Sequence, residues 1–266
     1  MTEKLAHFTK IDTLFCHILP EKRLRASNVI EMNDPLENKW QWLNFVSYRH
    51  NTIAPDAITP EAENEYYNFY SSNSVTLGRH INIACFSSYN HYLIERMQFS
   101  PPHENLKMWS QYGDNHQGAC IIFNRERLLS NIRNSSLNFL VNRDVSYTNT
   151  MNLTPNFLTH TISDWNKENE SIDSFFHRNT ADKIRQNPVT LLQKRIDWRD
   201  ELEERFIFYE KDATHTFFSI ENAIDEILFG VHTQQEYINS IREKHPDLKL
   251  SKMKINRANR IKIEEI

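Results

Sequence analysis

Glycine is scarce in this sequence: Gly78, Gly113, Gly118 and Gly230 are the only four among 266 residues. They are too dispersed for a G-x-G-x-x-G turn or a Walker-type loop, both of which need closely spaced glycines so that backbone N–H groups reach a phosphate. Ordinary Rossmann and P-loop nucleotide binding are therefore excluded. Long apolar runs are missing too. Stretches such as Ile81 to Phe86 and Ala119 to Phe123 fall far short of the roughly 20 residues that cross a bilayer, so no membrane span is expected. Met1 to Lys10 lacks the basic, then apolar, then small order of an export signal. Cysteine is limited to Cys16, Cys85 and Cys120. Three thiols form no even-numbered framework, and two of them lie in apolar runs where a thiol behaves as a small core residue, which fits a reducing cytoplasm.

There is no excess of positive charge either. A formal net charge of −4 opposes a protein that coats nucleic acid by bulk electrostatics, since that mode relies on clustered Lys and Arg. The densest basic stretch, Lys249, Lys252, Lys254, Arg257, Arg260 and Lys262, alternates with apolar residues such as Leu250, Met253, Ile261 and Ile263. Period-two alternation places those charges on the outer face of a hairpin. His80, Cys85, His91, His103, His116 and Cys120 fall in one region, but no C-x-x-C or H-x-x-x-H spacing repeats among them, so no metal site is expected. No serine sits in a G-x-S-x-G elbow.

What is present reads as one globular chain. The apolar share of 39%, aromatic share of 12% and charged share of 25% are ordinary for a foldable domain. Ile11 to Leu19 carries apolar residues at helical spacing with Pro20 expected to end it, and a short strand is expected at Leu24 to Ala26. Asn33-Asp34-Pro35 signals a turn. Strands are expected at Ile81 to Phe86, Gly118 to Phe123, Val141 to Tyr147, Arg205 to Tyr209, His215 to Ile220 and Ile224 to Phe229, with a helix from Gln234 to Lys244. Residues 36–76 and 150–195 read as helical insertions. Strands interrupted by helices without strict alternation predict a single α+β domain over residues 1–266, with a mixed or antiparallel sheet.

Five blocks carry a family resemblance. They are His7-Phe8-Thr9, Leu24-Arg25-Ala26-Ser27 with Asn33-Asp34-Pro35-Leu36-Glu37, Cys85-Phe86-Ser87, Met108-Trp109-Ser110-Gln111-Tyr112 with Asn115-His116-Gln117-Gly118, and Lys194 with Trp198, Glu201, Glu203 and Arg205. In this order they resemble the bacterial family of domain of unknown function 2971. Phe8 stands where a tyrosine is usual there, Gln111 where a histidine is common, and Glu204 where an aromatic is common. More remotely, the His-aromatic opening and the Glu-x-Glu segment resemble ADP-ribosyltransferases, including toxins of toxin–antitoxin and phage-defence systems.

That second resemblance implies a split sheet, NAD as the consumed substrate, a nucleic-acid or protein acceptor, and an antitoxin or defence-system partner. Breaking the N-glycosidic bond of NAD passes through an oxocarbenium-like state, which calls for a carboxylate beside the ribose. Glu203 is the candidate, with Glu201 as general base toward the acceptor. On a strand, Glu201, Glu203 and Arg205 would share one face and Glu204 the other. His7 is expected to donate a hydrogen bond to a ribose oxygen, Arg25 to meet the pyrophosphate through its guanidinium fork, and Trp109 or Tyr112 to stack on the nicotinamide. Phe8, Thr9, Ser87 and Arg205 complete the expected cofactor site. Several have a structural alternative: a satisfied core histidine at His7, core aromatics at Trp109 and Tyr112, a strand cap at Ser87, a plain ion pair at Arg205, and a structural role for the Glu201 and Glu203 pair. The rival functions are a non-enzymatic module that binds a nucleotide or partner, and a metal-dependent nuclease.

Overall fold

Short runs, several of them continuously apolar, build the strands, and in chain order they are β1 (Lys4–Thr9), β2 (Arg23–Asn28), β3 (Ile81–Ser88), β4 (Ala119–Asn124), β5 (Phe139–Asp144), β6 (Ser146–Thr148), β7 (Gln193–Arg195), β8 (Glu203–Tyr209), β9 (Thr216–Ser219), β10 (Ile224–Phe229), β11 (Leu250–Ile255) and β12 (Ile261–Glu265). The structure is a computed structural model and describes residues 3–32, 60–73, 77–90, 94–95, 98–150, 165, 169–211, 215–256 and 260–266. Ten strands make one sheet in which β12, β11, β10, β4, β1, β3, β2 and β9 follow one another, β8 lies along β3, and β5 lies along β8. Its pairings are antiparallel except for β10 with β11; β6 and β7 form a separate parallel pair. The expected α+β class with a mixed, mostly antiparallel sheet is the one found.

Both faces of the sheet are covered, which is why so many strands read as continuous apolar runs rather than clean alternations. One face buries Leu5, Phe86, Ile121, Phe123, Phe206, Phe208 and Phe229 against Leu128, Leu129 and Ile132 of the helix Arg125–Arg133 and against Ile238 and Ile241 of the helix Gln235–Lys244. On the other face, Ile81, Ile83, Ile207 and Tyr209 pack on Phe175, Phe176 and Ile184 of the helix Ile172–Gln186. Ser171 starts that helix by accepting the N–H of Ser174 at 3.2 Å, so a backbone donor that the helix itself leaves orphaned is satisfied.

Several expectations shift in detail. The helix expected at Ile11 to Leu19 runs through Ile11–Thr13, a π turn at Leu14–Ile18, and Leu19–Glu21. It stops past Pro20, where Lys22 turns left-handed at φ 48°. The helix Pro60–Asn73 falls within the insertion expected at 36–76, whereas Asn33-Asp34-Pro35 lies outside the described residues. Among the described residues, the insertion expected at 150–195 holds the α-helix Ile172–Gln186 and a 3₁₀ turn at Val189–Leu192, but its end is not helical throughout: Gln193–Arg195 is strand β7. The acidic strand expected from Glu201 to Arg205 begins only at Glu203, because Ile196–Glu201 is a 3₁₀ turn closed by Leu202 in the left-handed region at φ 49°.

Candidate active site

The site follows from the way two strands share one edge of β3. Along its other edge β3 is paired with β8 from Ile81 to Ser87. On the shared edge, β2 reaches only Asn82 and Ile83, and β1 reaches only Ser87 and Ser88. Between these contacts the two strands part. A buried backbone carbonyl left in such a gap needs a donor, and His7 on β1 supplies it: Nδ1 lies 3.2 Å from the Cys85 carbonyl oxygen. A carbonyl only accepts, so Nδ1 carries the hydrogen. Burial holds the His7 imidazole below its ordinary pKa, opposed by the bond to Cys85. The ring is neutral near pH 7, and Nε2 keeps its lone pair as an acceptor.

A cleft of about 250 Å³ opens at this gap. Its floor is a chain of buried charges. Tyr112 donates its hydroxyl to Glu201 Oε1 at 2.9 Å. Lys194 on β7 spans two carboxylates, donating to Glu201 Oε2 at 2.7 Å and to Glu203 Oε2 at 3.2 Å. Arg205 donates from Nε to Glu203 Oε1 at 2.8 Å and also reaches the Leu191 carbonyl at 2.8 Å. The Glu203 backbone N–H donates to the Tyr147 hydroxyl at 2.8 Å, which pins the start of β8. The Trp198 ring centroid lies 4.9 Å from the Lys194 ammonium and 5.1 Å from that of Lys107, so its ring adds cation–π attraction to both.

These surroundings drive the two carboxylates apart. Burial alone would raise the Glu203 carboxyl, but Arg205 and Lys194 together overcome it and hold the pKa at about 2. Glu201 goes the other way: burial raises it, Lys194 pulls against that, and the charge of Glu203 adds to the rise. One carboxylate stays firmly ionised while its neighbour is moved toward the range of a working acid or base, the separation that lets two like groups take different roles. Burial likewise raises the Tyr112 phenol and the Cys85 thiol, so each stays protonated and donates.

His7, Phe8, Arg25, Ser87, Tyr112, Glu201 and Glu203 line this one cleft. Three expected members do not. Trp109 is fully buried, set edge-on to Phe8 at 5.2 Å with its indole N–H donated to the His103 carbonyl at 2.9 Å; it is core, not a stacking wall. Thr9 is buried at the end of β1, where its backbone crowds Gly118 so closely that a side chain there would collide. Arg205 stands behind Glu203 as its ion-pair partner rather than in the wall. Glu204 points to the opposite face, as period two requires, and pairs with Arg125. Glu201 reaches the cleft through the 3₁₀ turn and not by strand alternation.

Lys194, Tyr147 and Cys85 belong to the site without having been singled out for it. Lys194 sat in a recognised block, but its segment read as helical, so the period that would have aimed it was not applied. Cys85 also sat in a recognised block but read as a core thiol, and nothing local in the sequence marks Tyr147. Among the described residues no group of three or more His, Cys, Asp or Glu side chains is placed to hold a metal ion, and no helix is long and apolar enough to cross a membrane.

The family model described as "Protein of unknown function (DUF2971)" matches residues 108–206. That span contains Tyr112, Lys194, Glu201, Glu203 and Arg205, and the match supports the family assignment. No curated protein and no solved structure matches the chain.

Proposed function

Proceeding from the match of residues 108–206 to the family model of unknown function DUF2971, we propose that this protein is a member of that family that consumes NAD and transfers ADP-ribose to a nucleic-acid or protein acceptor, in the manner of an ADP-ribosyltransferase. The observation that carries the reading is the convergence of His7, Tyr112, Glu201 and Glu203 on one cleft at the gap in the sheet. A buried carboxylate held ionised is the group an oxocarbenium-like ribose needs beside it, because developing positive charge is stabilised most where water is excluded. Nicotinamide leaves as a neutral molecule with the bonding electron pair on its ring nitrogen. His7, neutral with Nε2 as acceptor, would take a hydrogen bond from a ribose hydroxyl, the reverse of the donating role the sequence suggested. Tyr112 offers an aromatic edge beside the ring.

The fit to NAD is partial by design of the cleft. A volume of about 250 Å³ lies just under the ~300–1,000 Å³ usual for a whole small-molecule site. It would therefore take the nicotinamide ribose and leave the adenine half outside. Arg25, exposed at the cleft wall, is placed to meet the pyrophosphate without a glycine loop.

The protein would act inside a bacterial cell as a toxin or defence effector restrained by a partner. A second reading rests on one observation: every charge on the cleft floor is already paired within the protein, as a rigid ligand-binding module would have it. Incubation with NAD separates the two. Release of nicotinamide, or a labelled acceptor, supports the transferase; saturable NAD or nucleotide binding without turnover supports the module, and neither release nor binding removes both.

A further inference from the structure

Among the described residues, Lys194 is the side chain that touches both carboxylates of the cleft, and its two bonds are unequal. It lies 2.7 Å from Glu201 and 3.2 Å from Glu203. The carboxylates also differ in what else they have. Glu203 owns a second cation, Arg205, which contacts both of its oxygens at 2.8 and 3.3 Å. Among the described residues, Glu201 has Lys194 as its only cation, and its other partner is the neutral hydroxyl of Tyr112. Loss of Lys194 would leave Glu203 neutralised and Glu201 buried with a like charge close by. The ammonium itself is held in place from the side by the Trp198 ring.

We propose that Lys194 is a positioning residue of this site, a shared cation that keeps Glu201 ionised and able to receive the acceptor's proton, and that then stays with Glu203 once the proton has arrived. The proposal rests on the transferase reading for its chemistry. In that reaction the bond from ribose C1′ to the nicotinamide nitrogen breaks, with its electron pair leaving on nicotinamide. The acceptor's lone pair forms the new bond to C1′, and the acceptor's proton moves to a carboxylate oxygen of Glu201. Glu201 is then neutral, so Lys194 is no longer needed there and remains bonded to Glu203, where the charge is undiminished. The proton afterwards passes to solvent through the cleft mouth. No oxidant, reductant or metal enters the balance.

The environment of Glu201 supports this picture, since burial and Glu203 push its carboxyl up and only Lys194 and Tyr112 pull it down. An opposite charge within hydrogen-bond distance moves a carboxylate by about 1–3 pH units. In Lys194→Met the acidic limb of the pH–rate profile for nicotinamide release should therefore move up by about 1–3 units, while Lys194→Arg keeps the limb near its original position. A lysine that only braces the fold would lower the rate at every pH and leave the limb in place, and that result would overturn the proposal. Lys194→Gln serves if the methionine variant does not fold.

The same coupling has a readout that needs no turnover. With carboxyl-labelled glutamate followed by carbon NMR, and Glu201 assigned by its loss in Glu201→Gln, the Glu201 titration should shift upward in the lysine variant. If the wild-type protein releases no nicotinamide, the transferase reading fails, and this titration alone decides the coupling. An unshifted Glu201 titration would end the proposal even in an active enzyme.

Discussion

Glu203 and Glu204 are adjacent in sequence, lie on one strand and are buried to the same degree, with 5% and 2% exposure, yet their surroundings have opposite consequences. Glu204 accepts a two-pronged bond from Arg125, from Nε at 3.1 Å and Nη2 at 2.8 Å, and a further bond from Asn142 at 2.7 Å. Arg125 begins the helix Arg125–Arg133, so the pair ties a helix to β8. Glu203 instead shares one of its two cations with a second carboxylate and lines the cleft. Burial and pairing therefore do not distinguish a working carboxylate from a bracing one. What distinguishes them is a cation divided between two acids and an opening beside it.

That contrast can be broken most forcefully at the arginines. Removing one partner of a buried ion pair strands the other charge, at a cost of about 3–5 kcal/mol. Arg125→Met and Arg205→Met should each lose on this scale in urea unfolding. Only the second should alter nicotinamide release per folded molecule. Replacing Arg125 and Glu204 together by apolar residues of similar volume should recover most of the first loss, as expected of a bracing pair. Equal effects of the two arginine variants on turnover would dissolve the distinction.

Acid should expose Glu203 next. A carboxyl held at about 2 when folded, against an ordinary 4.5, contributes about 3 kcal/mol that is fully present above the unfolded value and is lost as pH falls through the folded one. Stability should accordingly decline between about pH 4.5 and 2. Glu201, shifted upward from 4.5, works in the opposite sense and at higher pH: the cost of its buried charge is relieved as pH falls toward 4.5, before the Glu203 decline begins. In Glu203→Gln the step in urea stability across this range should shrink; an unchanged step would place the titration elsewhere.

The smallest effect belongs to Trp109. Its indole N–H bond to His103 has the modest net value of a buried neutral hydrogen bond, about 1 kcal/mol. Trp109→Phe should lose that bond and leave a small cavity, on the order of 1–3 kcal/mol of stability, and leave the affinity for NAD unchanged, because the ring lies in the core behind Phe8. A marked rise in KM would return Trp109 to the site.

Much of the fold was legible where one face of a strand is uniform. Ile81 to Phe86 and Ile224 to Phe229 are marked by their apolar character, and alternation along β8 alone separates Glu203 from Glu204. Boundaries set by a single backbone angle were not legible. Leu202 is an ordinary residue in the left-handed region, so nothing marked the turn that carries Glu201. Strand β7 is three residues long and exists through its parallel pairing with β6, a tertiary fact that polar composition around Lys194 concealed. The gap in β3 is further still from sequence, since it depends on how far β1 and β2 each extend along a third strand. His7 was found by its place in a motif; its partner, a backbone carbonyl, has no residue type to reveal it.

The most direct test sets the two neighbouring acids against each other. Nicotinamide release from NAD would be measured for the wild-type protein, Glu203→Gln and Glu204→Gln, each corrected to its folded fraction by circular dichroism. Loss of a charge that stabilises the transition state should lower the rate of Glu203→Gln on the order of 10²–10³-fold, with Glu204→Gln turning over as the wild type does. Full activity in folded Glu203→Gln, or an equal loss in both variants, would contradict the account.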